Sequence, residues 1–281
     1  MTSWYSNGRN IDTIPVDDRA AQYGDGLFET IAIRGDAPRF WPLHVERLQH
    51  GCHRLGIPAP TEPALRNELD AALAACNIDT KFATAKIIVS AGPGPRGYRR
   101  PTRVDSVLRV GIFAATPWPP RAYRDGIQTR FCNTRLAIQP QLAGIKTLNR
   151  LEQVLASVEW DEPAILEGLM RDTDDRLICG TMSNVFLVFA KGIVTPAITR
   201  CGVAGVMRRH LLLLLDKSGL DCTVRDVGAK ELLQADEVFL TNSQFGVLPV
   251  AACDGQSWPV GDITRQVMVL AGQNEVDENA S

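Results

Sequence analysis

The chain is 281 residues long, 45% hydrophobic and 22% charged, which describes a globular protein of one large domain or two moderate ones. Lysine and arginine total 30 against 32 acidic residues, so no basic excess points to nucleic acid and no polybasic block to a membrane surface. The longest pure leucine run, 211–215, is far too short to span a bilayer, and the N-terminal "MTSWYSNGRN" lacks the apolar core of a signal peptide. Seven cysteines, scattered without CxxC spacing, read as reduced thiols in a cytoplasm.

In chain order, "LFETIAIR" (27–34) is strand-like, and "LHVERLQHGCHRLG" (43–56) follows with leucines at helical spacing. A second helix is expected at 63–76, where Leu65, Leu69, Ala72 and Leu73 share a face. Strands are expected at 83–91 and 106–115, then at 126–134, 164–172, 184–195 and 237–243. Helices are expected at 147–160, 205–219 and 262–272. Between two of the strands runs "TPWPPRAYRD", whose three prolines within five residues mark a linker. The expected division is a small α/β domain at 1–116, a linker at 117–124 and a larger domain at 125–281.

Two motifs invite chemistry and do not earn it. "GPGPRG" (92–97) has the glycine spacing of a dinucleotide loop, but that loop must open a helix, and the "YRRP" that follows suits none. A loop carrying Arg96, Tyr98, Arg99 and Arg100 is better read as facing an anion. His44, His50, Cys52 and His53 do not converge on one helical face, so the expectation is an amphipathic helix with surface histidines and no metal.

Lys146 is different. In "GIKTLNRLEQVLASVEW", Leu148, Leu151, Val154, Leu155 and Val158 fall at helical spacing, which sets Lys146 at a helix N-terminus. That end of the dipole disfavours an ammonium, so the position would favour the neutral amine a Schiff-base lysine needs.

The motifs "DDRAAQYGDGLFETI", "LHVERL", "GIKTLNRLEQVL", "GTMSNVFLV", "GVAGVMRR" and "TNSQFGVLPV" occur in that order. Together they resemble the fold-type IV pyridoxal 5'-phosphate enzymes, which include the branched-chain and D-amino-acid transaminases. Within that family "AGIKTLNRLEQVL" looks most like the aminodeoxychorismate lyases, and Leu151 stands where transaminases usually carry a tyrosine. The resemblance implies a mixed α/β fold, with a small N-terminal domain and a larger, β-barrel-like C-terminal one. It implies a site between the domains and a homodimer.

Carried over, Lys146 would form the Schiff base and Arg47 would bind the cofactor phosphate. Val206 and Met207 would offer backbone N–H groups to the same phosphate, as helix N-termini do. Asn184, Asn242 and Ser243 fall at further cofactor positions, and Arg96 and Tyr98 would meet the substrate carboxylates. One position departs: Cys179 stands where the family carries the glutamate that faces the pyridine nitrogen. A thiol is a poor substitute for that acid near neutrality.

The implied activity is the conversion of 4-amino-4-deoxychorismate to 4-aminobenzoate and pyruvate, the 4-aminobenzoate-forming step of folate biosynthesis. It could tolerate the loss, because aromatisation of the ring drives it. Two alternatives stay open: a D-amino-acid or branched-chain transaminase, and a cofactor-binding protein whose catalysis Cys179 impairs.

Overall fold

Alternation at period two builds the sheet of the N-terminal unit. Along "FATAKIIVS", Ala83, Ala85, Ile87 and Val89 are buried while Phe82, Thr84, Lys86 and Ile88 face the other side and are half-buried. The computed structural model describes residues 3–273 and divides into two units. The first runs to Thr116 and includes the later segment Ile145–Asn149; the second holds Pro117–Gly144 and the chain from Arg150.

In the first unit, β1 (Ser3–Ser6) and β2 (Arg9–Ile11) precede a short α1 (Arg19–Tyr23), then β3 (Gly26–Arg34) and β4 (Ala37–Pro38). Helices α2 (Trp41–Leu55) and α3 (Glu62–Ala75) follow, then β5 (Phe82–Ser90) and β6 (Val107–Ala114). The sheet is antiparallel, ordered β2-β1-β6-β5-β3-β4, and the two long helices cover one face. Helix α2 lies close on β3 because Gly51 brings no side chain there: a Cβ would stand 2.6 Å from Leu27 Cδ2. That close approach carries the α2 side chains His44 and Arg47 onto Glu29 of β3.

The second unit opens with α4 (Pro120–Arg124) and β7 (Ile127–Leu136), then α5 (Leu151–Ser157), β8 (Ile165–Asp172), β9 (Arg176–Gly180), β10 (Asn184–Phe189) and β11 (Gly192–Pro196). Helix α6 (Val206–Ser218), β12 (Cys222–Arg225), β13 (Val227–Gly228) and a 3-10 turn (Ala229–Gln234) come next. The unit closes with β14 (Glu237–Asn242), β15 (Gly246–Cys253), β16 (Gln256–Ser257) and α7 (Asp262–Leu270). Its ten-stranded sheet runs β12-β11-β10-β14-β15-β7-β8-β9-β13, with β16 beside β15. The sheet curls until β9 approaches β10, which gives the mixed, barrel-like architecture. Phe186 and Phe239 stack at 4.9 Å inside it.

Three expectations are corrected. The expected linker is not a free tether: prolines 119 and 120 start α4, and Ala122 is buried in the core of the second unit with Trp118 and Tyr123 packed beside it. The expected single strand at 184–195 is the hairpin β10–β11. The expected helix from Thr147 starts only at Leu151, because residues 145–149 are drawn into extended pairing with β3.

Candidate active site

Lys146 belongs to the first unit. Its carbonyl accepts from Phe28 N–H at 2.9 Å, Leu148 N–H donates to the Gly26 carbonyl at 3.0 Å, and Thr147 sits opposite Leu27. The lysine therefore lies on an extended strip along the edge of β3. The helix-dipole reason for its placement does not hold. Instead Phe28, opposite Lys146 and on the same face, puts its ring centroid 4.4 Å from Lys146 Nζ, a cation–π contact.

On the other face of β3, Glu29 is fully buried. Arg47 Nε donates to Glu29 Oε1 at 2.8 Å, Arg47 Nη2 reaches Oε2, and His44 Nδ1 lies 2.6 Å from Oε2. Burial pushes the Glu29 carboxyl up, but the Arg47 charge and the hydrogen bonds from Arg47 and His44 overcome it and hold the pKa at about 2. Burial, with help from the Arg47 and Lys146 charges, pulls the His44 pKa down against the pull of Glu29. A neutral His44 must then donate from Nδ1 to the carboxylate, leaving Nε2 as the acceptor. Nε2 is buried and has no partner among the described residues. The expectation of surface histidines thus holds for His50 and His53, which are exposed, and fails for His44. The period of α2 made all three look alike; only packing against β3 separates them.

The Gly/Pro loop is held from within. Arg19 donates to the carbonyls of Gly97 and Tyr98, Gly97 N–H donates to the Tyr23 hydroxyl, and Asp25 accepts from both Arg19 and Arg100. Arg100 is therefore a staple and not an anion-facing group. Arg96 and Tyr98 remain exposed at the tip, and no helix follows the loop.

In the second unit, Asn184 Oδ1 accepts from Gly205 N–H at 3.0 Å and Asn184 Nδ2 donates to the Val203 carbonyl at 3.0 Å. This fixes the approach to α6, whose cap Gly205 brings no side chain to the first-turn N–H groups. Val206 and Met207 begin that helix. Across the β10–β14 pair from Asn184 stands Thr241, buried, its Oγ1 without a partner among the described residues. Helix-end N–H groups, a fixed glycine loop and an orphaned hydroxyl are what a phosphate takes.

Asn242, expected at a cofactor position, also shapes the backbone around it. Its Oδ1 accepts from Gln244 N–H and Phe245 N–H, both at 2.9 Å, so the side chain builds the turn. Ser243, half-buried, follows it in that turn.

Cys179 faces Met170 across the β8–β9 pair, among Cys132, Leu136, Ala156, Ile178 and Cys201. Burial pushes its thiol far up, and the Arg150 charge pulls only partly the other way, so the group is neutral. The two acids that closely precede it in sequence, Asp174 and Asp175, are engaged elsewhere. Asp174 pairs with Arg176 and Asp175 with Arg135 and Arg171.

Glu167, absent from the sequence expectations, is fully buried but on the Gly180 face. It accepts from Gly168, Thr181 and Met182 N–H groups and from the Ser183 hydroxyl, tying down the turn before Asn184. A Cβ on Gly180 would stand 2.9 Å from the Glu167 carboxyl carbon, which explains the glycine. Its sequence signal was an acid inside an apolar strand.

The sequence profile of the amino-transferase class IV family matches residues 26–253. The aminodeoxychorismate lyase of Vibrio harveyi is 37% identical over 269 residues, covering 94% of this chain and 97% of that protein. The D-alanine aminotransferase of Bacillus licheniformis is 26% identical, covering 98% and 97%. The crystal structure of 4-amino-4-deoxychorismate lyase from Pseudomonas aeruginosa superposes with a TM-score of 0.88 at 44% identity, covering 97% of this chain and 99% of that one. A family match over most of the chain, together with these full-length likenesses, places the protein in the amino-transferase class IV family.

Proposed function

We propose that the protein is a pyridoxal-phosphate-dependent lyase that converts 4-amino-4-deoxychorismate to 4-aminobenzoate and pyruvate. The observation that carries this reading is the full-length likeness to lyases at 37% and 44% identity, well above the 26% of a D-alanine aminotransferase. Leu151, where transaminases usually carry tyrosine, agrees with it. Bound at Lys146, pyridoxal phosphate would withdraw electrons from the carbon that bears the substrate amine.

The chain's own groups supply the rest. Arg47, aimed by Glu29, would offer the phosphate a cation, and the start of α6 at Val206 and Met207 would offer it N–H groups. Asn184 holds the loop that presents them, and Ser243 and Thr241 are the hydroxyls of the set. Lys146 Nζ, its amine free once the substrate is bound, would take the proton from the substrate C4 as general base. Lys146 would return that proton to the departing enolpyruvyl oxygen, which would leave as the enol of pyruvate, and the ring would become aromatic. Cys179, neutral and buried, would supply no charge to a pyridine nitrogen placed beside it, and aromatisation would make that loss tolerable.

Arg96 and Tyr98, exposed at their loop tip, are substrate-carboxylate candidates. Helix α5 leaves Leu151, Val154, Leu155 and Val158 between 53% and 75% exposed, an apolar face that supports a homodimer. Seven free cysteines suit the cytoplasm.

The test is direct. Protein loaded with pyridoxal phosphate is reduced with borohydride and mapped by mass spectrometry, and 4-aminobenzoate is measured after aminodeoxychorismate is added without any keto acid. Trapping at Lys146 with product formation supports the lyase. Product only in the presence of a keto-acid acceptor supports the transaminase. Trapping without turnover supports the impaired binder that the neutral Cys179 would make.

A further inference from the structure

Three arginines are buried among the described residues, and two of them meet a carboxylate. Arg19 Nε donates to Asp25 at 2.8 Å, and Arg109 Nη2 donates to Asp18 at 2.5 Å. Arg208, the third residue of α6 and 8% exposed, has no such partner among the described residues. Its Nε donates to Thr195 Oγ1 at 3.3 Å and its Nη2 to the Pro196 carbonyl at 3.1 Å, and both acceptors are neutral. The titratable group whose charge bears on it is Cys222. Burial pushes that thiol up to about 11, so it brings no anion near neutrality.

Arg208 also has the wrong sign for its place. The first turn of a helix is the positive end of the dipole, and α6 carries no acid there. A guanidinium taken out of water at that end, among neutral partners, costs stability that two hydrogen bonds do not restore. Its surroundings point to what completes it. Thr195 donates its own hydroxyl to the Val185 carbonyl at 2.9 Å, which ties the guanidinium to the residue next to Asn184. Asn184 holds Gly205 N–H, and opposite it stands the buried Thr241 hydroxyl, without a partner among the described residues. An uncompensated cation, a helix start and an orphaned hydroxyl thus gather at one end of β10.

We infer that Arg208 is the buried counter-charge of a phosphate dianion seated at the start of α6, a role that rests on the cofactor reading above. That reading gives the phosphate one side-chain cation, Arg47, whereas a phosphate ester carries about −1.5 to −2 charge near neutrality. Arg208 acts through its field across the first turn, where burial leaves little water to screen it. The site then reads phosphate charge. It favours the phosphorylated cofactor over pyridoxal, which has the same ring and aldehyde and no phosphate.

The experiment uses the full chain freed of cofactor, in phosphate-free buffer at about pH 8, where phosphate is a dianion. Inorganic phosphate binding is read from the melting temperature, and pyridoxal phosphate and pyridoxal binding from absorbance. Wild type is compared with Arg208→Gln, which removes the charge and keeps an N–H donor, and with Arg208→Lys, which keeps the charge. Arg208→Gln should weaken inorganic phosphate and pyridoxal phosphate by about tenfold or more and leave pyridoxal unchanged. Arg208→Lys should stay within about threefold of wild type for all three.

Equal phosphate affinity in wild type and Arg208→Gln overturns the inference. So does an equal loss of pyridoxal, which would make the arginine a purely structural group. If Arg208→Gln does not fold, Arg208→Lys decides: phosphate affinity kept within about threefold supports the charge, and a larger loss overturns it. If the wild type binds inorganic phosphate but not pyridoxal phosphate, the cofactor reading fails and Arg208 is still judged by the phosphate affinities. If the wild type binds neither, both fall.

Discussion

Asn184 and Gly205 fit each other with no room to spare. The amide oxygen accepts from Gly205 N–H at 3.0 Å, and a Cβ on Gly205 would stand 2.1 Å from that same oxygen. Gly205→Ala must therefore break the bond that aims the start of α6. The expected result is a rise of about tenfold or more in the dissociation constant for pyridoxal phosphate, read by absorbance titration. Asn184→Ala should act in the same direction while removing the clash, and its smaller effect would measure the hydrogen bonds alone. Unchanged cofactor affinity in Gly205→Ala would remove α6 from the phosphate site.

The Glu29–Arg47–His44 cluster predicts how stability depends on pH. The folded pKa of Glu29, about 2, lies below its ordinary 4.5, so the folded state binds the proton less well than the unfolded one. Stability from this group is complete above about 4.5 and is lost as pH falls toward 2, on the order of 3 kcal/mol across that window. His44, whose pKa is also lowered, adds a loss that begins as pH falls through 6.5. Urea unfolding at pH 7, 5 and 3.5 should show Glu29→Gln less stable than wild type at pH 7, with the gap narrowing as pH falls. A gap that stays constant would mean that Glu29 does not titrate in the folded state as described.

Cys179→Glu tests the missing acid. A carboxylate entering the cluster of Met170, Cys132 and Cys201 should lower the melting temperature by several degrees, with Arg150 offsetting part of the desolvation. Lyase turnover should rise if the ring nitrogen lacks a partner in the native chain. Turnover that stays flat, with cofactor still loaded, would show that the thiol is not what limits the protein.

The apolar face of α5 gives a prediction about assembly. Leu151 and Leu155, 75% and 58% exposed, sit one turn apart. Leu151→Glu combined with Leu155→Lys should convert a dimer into a monomer in sedimentation velocity, with little change in secondary structure by circular dichroism. A wild-type chain that sediments as a monomer would contradict the homodimer directly.

Much of this protein is written at short range. Apolar, β-branched runs located β3, β5 and β6, and helical patterns located α2, α3 and α6, to within a residue or two. The ordered motifs around Lys146, Arg47 and "GVAGVMRR" carry the resemblance to the family whose profile matches residues 26–253. The strand β15 escaped because Pro249 interrupts its apolar run. In the sheet that proline faces Phe239 from the centre, an arrangement strand patterns argue against.

What the sequence by itself determined was most of the long elements and the family motif around Lys146; tertiary structure decided what surrounds that lysine. Lys146 looked like the start of a helix because its neighbours carry helical spacing. The Phe28 N–H, far away in the chain, takes its carbonyl and holds it extended, and a local pattern cannot register a long-range hydrogen bond. That same pairing puts Lys146 on the ring that Lys86 shares, while α2 packing turns one of three similar histidines inward onto Glu29. These placements depend on sheet register and helix approach. Those are fixed by contacts between distant residues, and no window of sequence contains both partners.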